Sequence, residues 1–506
     1  MKKLFYFLLC TLFAVTVLTG CGQQKSASSA AAGKHMNAAL FWFGETMDPA
    51  HDWDGWTATR VGAGETLVTV TDKMQFEGQL ADKWANVSPT VWKFHIRENV
   101  KFQNGDAMTP ERVKASLERT LKENKRAAKS AKIKNITVDG QNLTVETTES
   151  YGSLLSSLTE PAFVIVDTQG DAKQLAETPV MTGPYMVTSF KKNEEIQLKA
   201  NPDYWGGKPG LDSITVKNIK DNNKRAMSLQ SGDLDLVQNV DAANRKLFAN
   251  DKYDIKEATG VRVYFMQLNF AGQLKDDNLR KALASAVDYE SLAKVEGSGA
   301  IAAGAPFPPS ADYGYQKAPR QQYDKDKAAQ YLAAAGYTEK DNDGYLTKNG
   351  QELVLTFDVW GSRNSLYEAI QDQLKQAGIK VVLNRIQGPD ENSDLGEYDM
   401  LENNWSTLST NDPYWFMDQV FRSDSEQNVG HYSNPEADRL IKELAVTFDP
   451  GKRKEITEQV QKLVLQDNAD IFLVFPANNV VMSKRVRNVP VFPIDYYLIT
   501  KDVTIQ

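Results

Sequence analysis

At 506 residues the chain is long enough to form two or three domains. Its 58 basic and 66 acidic side chains are spread along the sequence, giving a net charge of -8 with no basic tract. No basic stretch interleaved with aromatics is present either, which argues against a nucleic-acid partner. With only two cysteines, Cys10 and Cys21, a disulfide scaffold or a thiolate metal cluster is excluded.

The N terminus sets the compartment. Lys2 and Lys3 precede an apolar run over 4–18 that is too short and too early for a stable membrane span, so it reads as a secretory signal. The run ends in Leu18-Thr19-Gly20-Cys21, which resembles the lipobox of bacterial lipoproteins. That resemblance implies cleavage before Cys21 and acylation of its thiol and new amino terminus, and several acyl chains give stable anchoring. The signal would be 1–20. Residues 21–36, rich in Gln, Ser, Ala, Gly and Lys, would form a flexible tether. Cys10 would leave with the signal and Cys21 would carry lipid, so the mature protein would have no free thiol.

Downstream, short β-like runs alternate with amphipathic helical stretches, the pattern of an α/β fold. In chain order we expect strands over 38–43, 67–70, 91–96 and 143–147. A helix over 110–123 falls between the last two, with Thr109 as N-cap and Pro110 at its first position. A strand over 211–216 precedes a helix over 223–231, and a strand over 262–269 precedes a helix over 277–287. Next come a helix over 325–335, a strand over 353–359, a helix over 365–377 and a strand over 379–383. Helices over 436–446 and 451–467 close the series. Gly336 and Gly378 follow two of these helices, as a left-handed C-cap prefers. No repeat of solenoid or propeller length occurs.

Catalytic signatures are missing. The chain has no phosphate-binding Gly-x-x-x-x-Gly-Lys-Ser/Thr loop, no Gly-x-Ser-x-Gly elbow and no His-Glu-x-x-His helix. Glu339-x-Asp341-x-Asp343-Gly344 approaches a calcium loop, but Gly350 stands where the bidentate carboxylate belongs, so a polar turn is expected. Of four histidines, His35 falls in the tether, His95 in a strand, and His51 and His431 in loops from which either could reach a cleft. We therefore expect no enzyme, no cofactor and no metal site built by the protein alone. Six tryptophans, Trp42, Trp53, Trp56, Trp360, Trp405 and Trp415, fall at strand ends or in loops, where large rings can grip a ligand.

Fragments along the chain then converge on one family. They begin with Glu65-Thr66-Leu67, Leu80-Ala81-Asp82-Lys83-Trp84 and Trp92-x-Phe94-x-Ile96-Arg97-Glu98-Asn99-Val100-Lys101-Phe102-x-Asn104-Gly105. Thr182-Gly183-Pro184-Tyr185, Asn201-Pro202-x-Tyr204-Trp205-Gly206, Ser231-Gly232-Asp233-Leu234-Asp235 and Leu279-Arg280-Lys281-Ala282-Leu283 follow. The series ends with Tyr323-Asp324-x-x-Lys327-Ala328, Ala335-Gly336-Tyr337 and Tyr432-Ser433-Asn434-Pro435-Glu436-x-Asp438. In number, order and spacing these fragments resemble the extracytoplasmic family 5 solute-binding proteins, which serve peptide and nickel ABC importers.

The resemblance implies an α/β fold of the two-lobed periplasmic-binding-protein kind (type II, cluster C) with an additional inserted domain. Domain I would comprise 37–72, 180–258 and 480–506, domain II 73–179, and domain III 259–479. The lobes would close on a ligand that touches both. Implied partners are the ligand, an ABC permease with its ATPase subunits, and the membrane through the lipid anchor only. The protein would work as a monomer outside the cytoplasmic membrane.

Short peptides are the first expected cargo, with a nickel or other metal chelate as the alternative. Peptide-binding relatives hold the α-amino group with an aspartate shortly after the tryptophan matching Trp405. Here Leu408 or Ser409 takes that place, although Asp412-Pro413 is present. Nickel-chelate relatives use an arginine at the position of Arg126; a second is replaced by Glu160 or Ala162. His431 matches a histidine that some of them use as a metal ligand. From residue chemistry, Arg363 and Arg126 could hold a ligand carboxylate with a bidentate fork. Trp360, Trp405, Asn404 and Tyr185 are the expected wall and hydrogen-bonding residues, and His431 the inner ligand for a metal chelate.

Overall fold

A computed structural model of the chain describes residues 33–309, 311, 313, 319–361, 363–388, 398–408 and 411–506. The signal, the lipobox with Cys21, and Ser409 lie outside these residues. Two large sheets carry the architecture. The first has seven strands in the order Tyr253–Thr259, Ala477–Ser483, Leu236–Gln238, His35–Leu40, Ser213–Asn218, Glu195–Ala200, Tyr185–Lys191. His35–Leu40 runs parallel to both of its neighbours, and the other pairs are antiparallel. The second has six strands, in the order Ile301–Ala302, Asp470–Phe475, Arg262–Leu268, Met400–Ser406, Val354–Val359, Lys380–Arg385. A third sheet, four antiparallel strands between Ala81 and Thr147, is inserted between two strands of the first. The fold is the expected α/β two-lobed one with an inserted element.

Local chemistry explains the elements. Helix Pro110–Glu123 begins at Thr109, whose side chain accepts the Arg112 N–H, with Pro110 in the first turn. Val113, Ser116, Leu117 and Thr120 form its buried stripe, at the three- and four-residue spacing of an amphipathic helix. Val354–Val359 pairs in parallel with Lys380–Arg385, and helix Asn364–Gln376 supplies the crossover that a parallel pair requires. The turn after Glu339 is a hairpin in which Asp341 Oδ1 accepts the N–H groups of Asp343 and Tyr345 at 2.9 and 2.8 Å.

The chain passes between the two large sheets twice. Tyr253–Thr259 runs on into Arg262–Leu268, and Asp470–Phe475 runs on into Ala477–Ser483. The crossings lie side by side, with the Gly260 N–H donating to the Pro476 carbonyl at 2.9 Å. One core packs the inserted segment (Phe94, Phe102, Leu143) against the helices and strands of the second lobe (Phe265, Phe416, Phe472). Arg453 and Asp412, ion-paired at 2.5 Å and each 10% exposed, join that contact to Ser153.

Candidate ligand-binding cavity

Both lobes and the inserted element line a cavity of about 1200 Å³. All six tryptophans singled out in the sequence line it, Trp42, Trp53, Trp56, Trp360, Trp405 and Trp415, although Trp56 and Trp415 lie in helices Gly55–Arg60 and Tyr414–Phe421 rather than in loops or at strand ends. On the first lobe the chain leaves strand His35–Leu40 through Phe41 and Trp42, then returns through helix Gly55–Arg60. Arg60, at the end of that helix, is fully buried and ion-paired to Asp495 at 2.6 Å. Its guanidinium lies 5.7, 5.9 and 5.3 Å from the ring centres of Phe41, Trp42 and Trp56. A cation on the face of an aromatic ring gains electrostatically, so Arg60 fixes these rings as the cavity floor.

The two arginines expected to grip a carboxylate both line the cavity, but each already has one. Arg126 lies 3.6 Å from the Trp53 ring centre and pairs with Glu160 at 2.8 Å. Arg363 lies 3.9 Å from the centre of Tyr264 and shares its Nε–H between both Glu296 oxygens at 3.2 Å. Burial opposes the Arg363 charge, yet Tyr264 and Glu296 more than offset it and hold the guanidinium above its ordinary range. Glu160, standing where a second arginine was sought, cancels the charge of the first.

Trp360, Asn404 and Trp405 also line the cavity. Trp360 is held from behind by Glu402, whose carboxylate accepts the N–H groups of Trp360 and Gly361 at 3.0 and 2.8 Å. The Trp360 indole N–H donates to the Glu402 carbonyl at 2.9 Å, so ring and backbone are fixed together. Tyr185 and His431 fall outside the cavity lining. Tyr185 is fully buried in the first-lobe core, where burial pushes its hydroxyl up to about 12. His431 sits in an exposed turn at φ +59, its N–H donating to the Asn428 carbonyl, and is not among the cavity-lining residues. Neither is His51, which pairs with Asp54 at 2.8 Å.

Arg262 is a residue the sequence reading passed over. Half-buried at the start of its strand, it lines the cavity and donates from Nη1 to Asn404 Oδ1 at 2.9 Å. Among the described residues no carboxylate pairs with it. Strand period two places Arg262 and Tyr264 on one face, and both line the cavity. That alternation was the available signal. The four lining carboxylates among the described residues, in contrast, are all engaged: Glu160, Glu296 and Asp495 by arginines, and Asp241 as the N-cap of helix Ala242–Arg245. Asp412, the acid of the Asp-Pro pair, is buried on Arg453 and is not among the lining residues. Among the described residues no group of three or more His, Cys, Asp or Glu side chains is placed to hold a metal ion.

A cationic, tryptophan-walled cavity shared by two lobes agrees with what comparison with known proteins finds. The model of the bacterial extracellular solute-binding proteins, family 5, matches residues 75–428. The chain belongs to this family. Family 5 proteins are substrate-binding components of ABC importers rather than enzymes, and they act outside the cytoplasm. Among the described residues no helix is long and apolar enough to cross a membrane. A similar relative is the nickel-binding protein NikA of Staphylococcus aureus, 30% identical over 504 residues, 98% of this chain and 99% of that one. The probable D,D-dipeptide-binding periplasmic protein DdpA of Escherichia coli is 29% identical over 471 residues, 88% of this chain and 89% of that one. The crystal structure of Staphylococcus aureus NikA in complex with Ni(L-His)2 superposes with a TM-score of 0.80 at 27% identity, covering 94% of this chain and 100% of that one.

Proposed function

We propose that this chain captures a preformed, carboxylate-bearing metal chelate, nickel or a similar ion carried by small ligands such as histidine. It would deliver that chelate to the permease of an ABC importer. The observation that carries the reading is the charge pattern of the cavity: among the described residues Arg262 has no carboxylate partner, and every lining carboxylate is engaged. A ligand carboxylate at Arg262 would form a charge-assisted hydrogen bond, stronger than one between neutral groups. The metal must bring its own coordination sphere, since among the described residues the cavity lining contains no histidine or cysteine. The similarity to a protein solved with Ni(L-His)2 supports the same choice.

Peptide capture is the second reading, favoured by size. The volume of about 1200 Å³ exceeds the range that small-molecule pockets usually occupy, about 300–1000 Å³. Against it stands the lack, among the described residues, of a free lining carboxylate for a peptide amino terminus. In either reading Cys21 carries the lipid, and the monomer acts through the three domains delimited above.

Thermal-shift titration separates the two cargoes, because a ligand specific for the folded state raises the melting temperature. Nickel with excess L-histidine is expected to raise it, whereas nickel alone and a pool of two- to five-residue peptides are not. A rise with the peptide pool only would overturn the chelate assignment.

A further inference from the structure

A short loop of the second lobe rests directly on the first. Gly297-Ser298-Gly299 follows helix Tyr289–Glu296, and the Ser298 carbonyl accepts an N–H from Arg245 at 3.1 Å. The Ser298 hydroxyl donates to Glu257 at 2.9 Å, and Arg245 pairs with Glu257 at 3.0 Å. Arg245 is 7% exposed, and Glu257 lies in Tyr253–Thr259, one of the strands that cross between the sheets.

The fit depends on two glycines. A Cβ on Gly297 would lie 2.2 Å from the Ala242 Cβ, and one on Gly299 would lie 2.8 Å from the Ala477 Cβ. Their φ angles, +111 and +75, are also in the range that side chains avoid. The loop is joined to the cavity through Glu296, the residue immediately before it, which holds Arg363.

We propose that this loop is a latch between the lobes. Seating it on the Arg245–Glu257 pair sets the interlobe angle and brings the Glu296–Arg363 wall to the ligand. Unlatched molecules lack the assembled cavity, so apparent affinity scales with the latched fraction. The inference goes beyond the identity of the ligand and does not depend on it.

Two variants test it. Gly299→Ala wedges the loop away, and the double variant Arg245→Met/Glu257→Gln removes its seat without stranding a charge. Small-angle X-ray scattering of the purified protein without added ligand is expected to give a larger radius of gyration for both. If the latched fraction drops to about a tenth, nickel with L-histidine binds about ten-fold more weakly, and saturation restores the native dimensions. Native dimensions in folded double variant, verified by circular dichroism, would overturn the latch even if Gly299→Ala fails to fold. The scattering result stands whether or not nickel with histidine is the cargo.

Discussion

Replacing Arg262 with methionine keeps the aliphatic stem and removes the one lining guanidinium that donates to Asn404. That group has no carboxylate partner among the described residues. A hydrogen bond to a charged group contributes about 1.5–3 kcal/mol. Losing one such bond to a ligand carboxylate should therefore raise Kd roughly 10- to 150-fold. Stability should barely change, because the only partner left behind is a half-buried neutral amide. Arg126→Met and Arg363→Met make the contrast. They strand Glu160 and Glu296, whose side chains are 7% and 16% exposed. Breaking a buried pair from one side costs about 3–5 kcal/mol, so both variants should unfold at lower urea. Isothermal titration with nickel and excess L-histidine, beside urea unfolding curves, reads both effects. Native affinity in Arg262→Met, together with lost affinity at native stability in Arg363→Met, would refute the assignment of the anion anchor.

Other expectations follow from the same geometry. Asp470 is buried, and burial pushes its carboxyl up to about 8, opposed only by the Leu268 N–H. The folded state then holds a proton that the unfolded state releases near pH 4. Its contribution is complete in acid and is lost as pH rises toward 8, at about 1.4 kcal/mol per pH unit. Asp470→Asn should flatten that decline in urea midpoints measured between about pH 5 and 8; an equally steep decline in the variant would contradict it. Arg453→Met leaves Asp412 buried and unpaired and should destabilise by about 3–5 kcal/mol, whereas Arg453→Met/Asp412→Asn should recover much of that loss in the same unfolding assay. His431→Ala should leave titration with nickel and L-histidine unchanged, because the residue is exposed in a turn and is not among the cavity-lining residues; a large loss of affinity would return His431 to the site.

Much of the scaffold is written in local pattern. The expected helix over 110–123 coincides with Pro110–Glu123, and the strand over 91–96 coincides with Val91–Ile96. Gly336 and Gly378 take φ values of +95 and +89 at the helix ends where they were expected. In each of these places propensity, capping and burial agree. Met400–Ser406 was not among the expected strands, and the reason is physical. Its sequence Met-Leu-Glu-Asn-Asn-Trp-Ser lacks the β-branched alternation of a half-buried strand. Glu402 is turned behind Trp360, while Asn404 and Trp405 are spent on the cavity wall. Local rules give way where a strand serves a site.

The limit on reading the site has the same origin. Residue type and family resemblance pointed to the two candidate arginines, and residue type to the six tryptophans, all of which line the cavity. Neither could say which arginine is free to bind. That depends on where each finds a carboxylate, and these partners are remote: Glu160 lies 34 residues from Arg126, and Glu296 lies 67 residues from Arg363. Burying a cation without a counter-charge is costly, so a fold supplies partners for most of its cavity arginines. An arginine left without one at a cavity wall keeps its hydrogen-bonding capacity for a ligand. Arg262 meets that condition because its strand neighbour on that face, Asn404, offers a neutral acceptor where a carboxylate would have closed the site to anions.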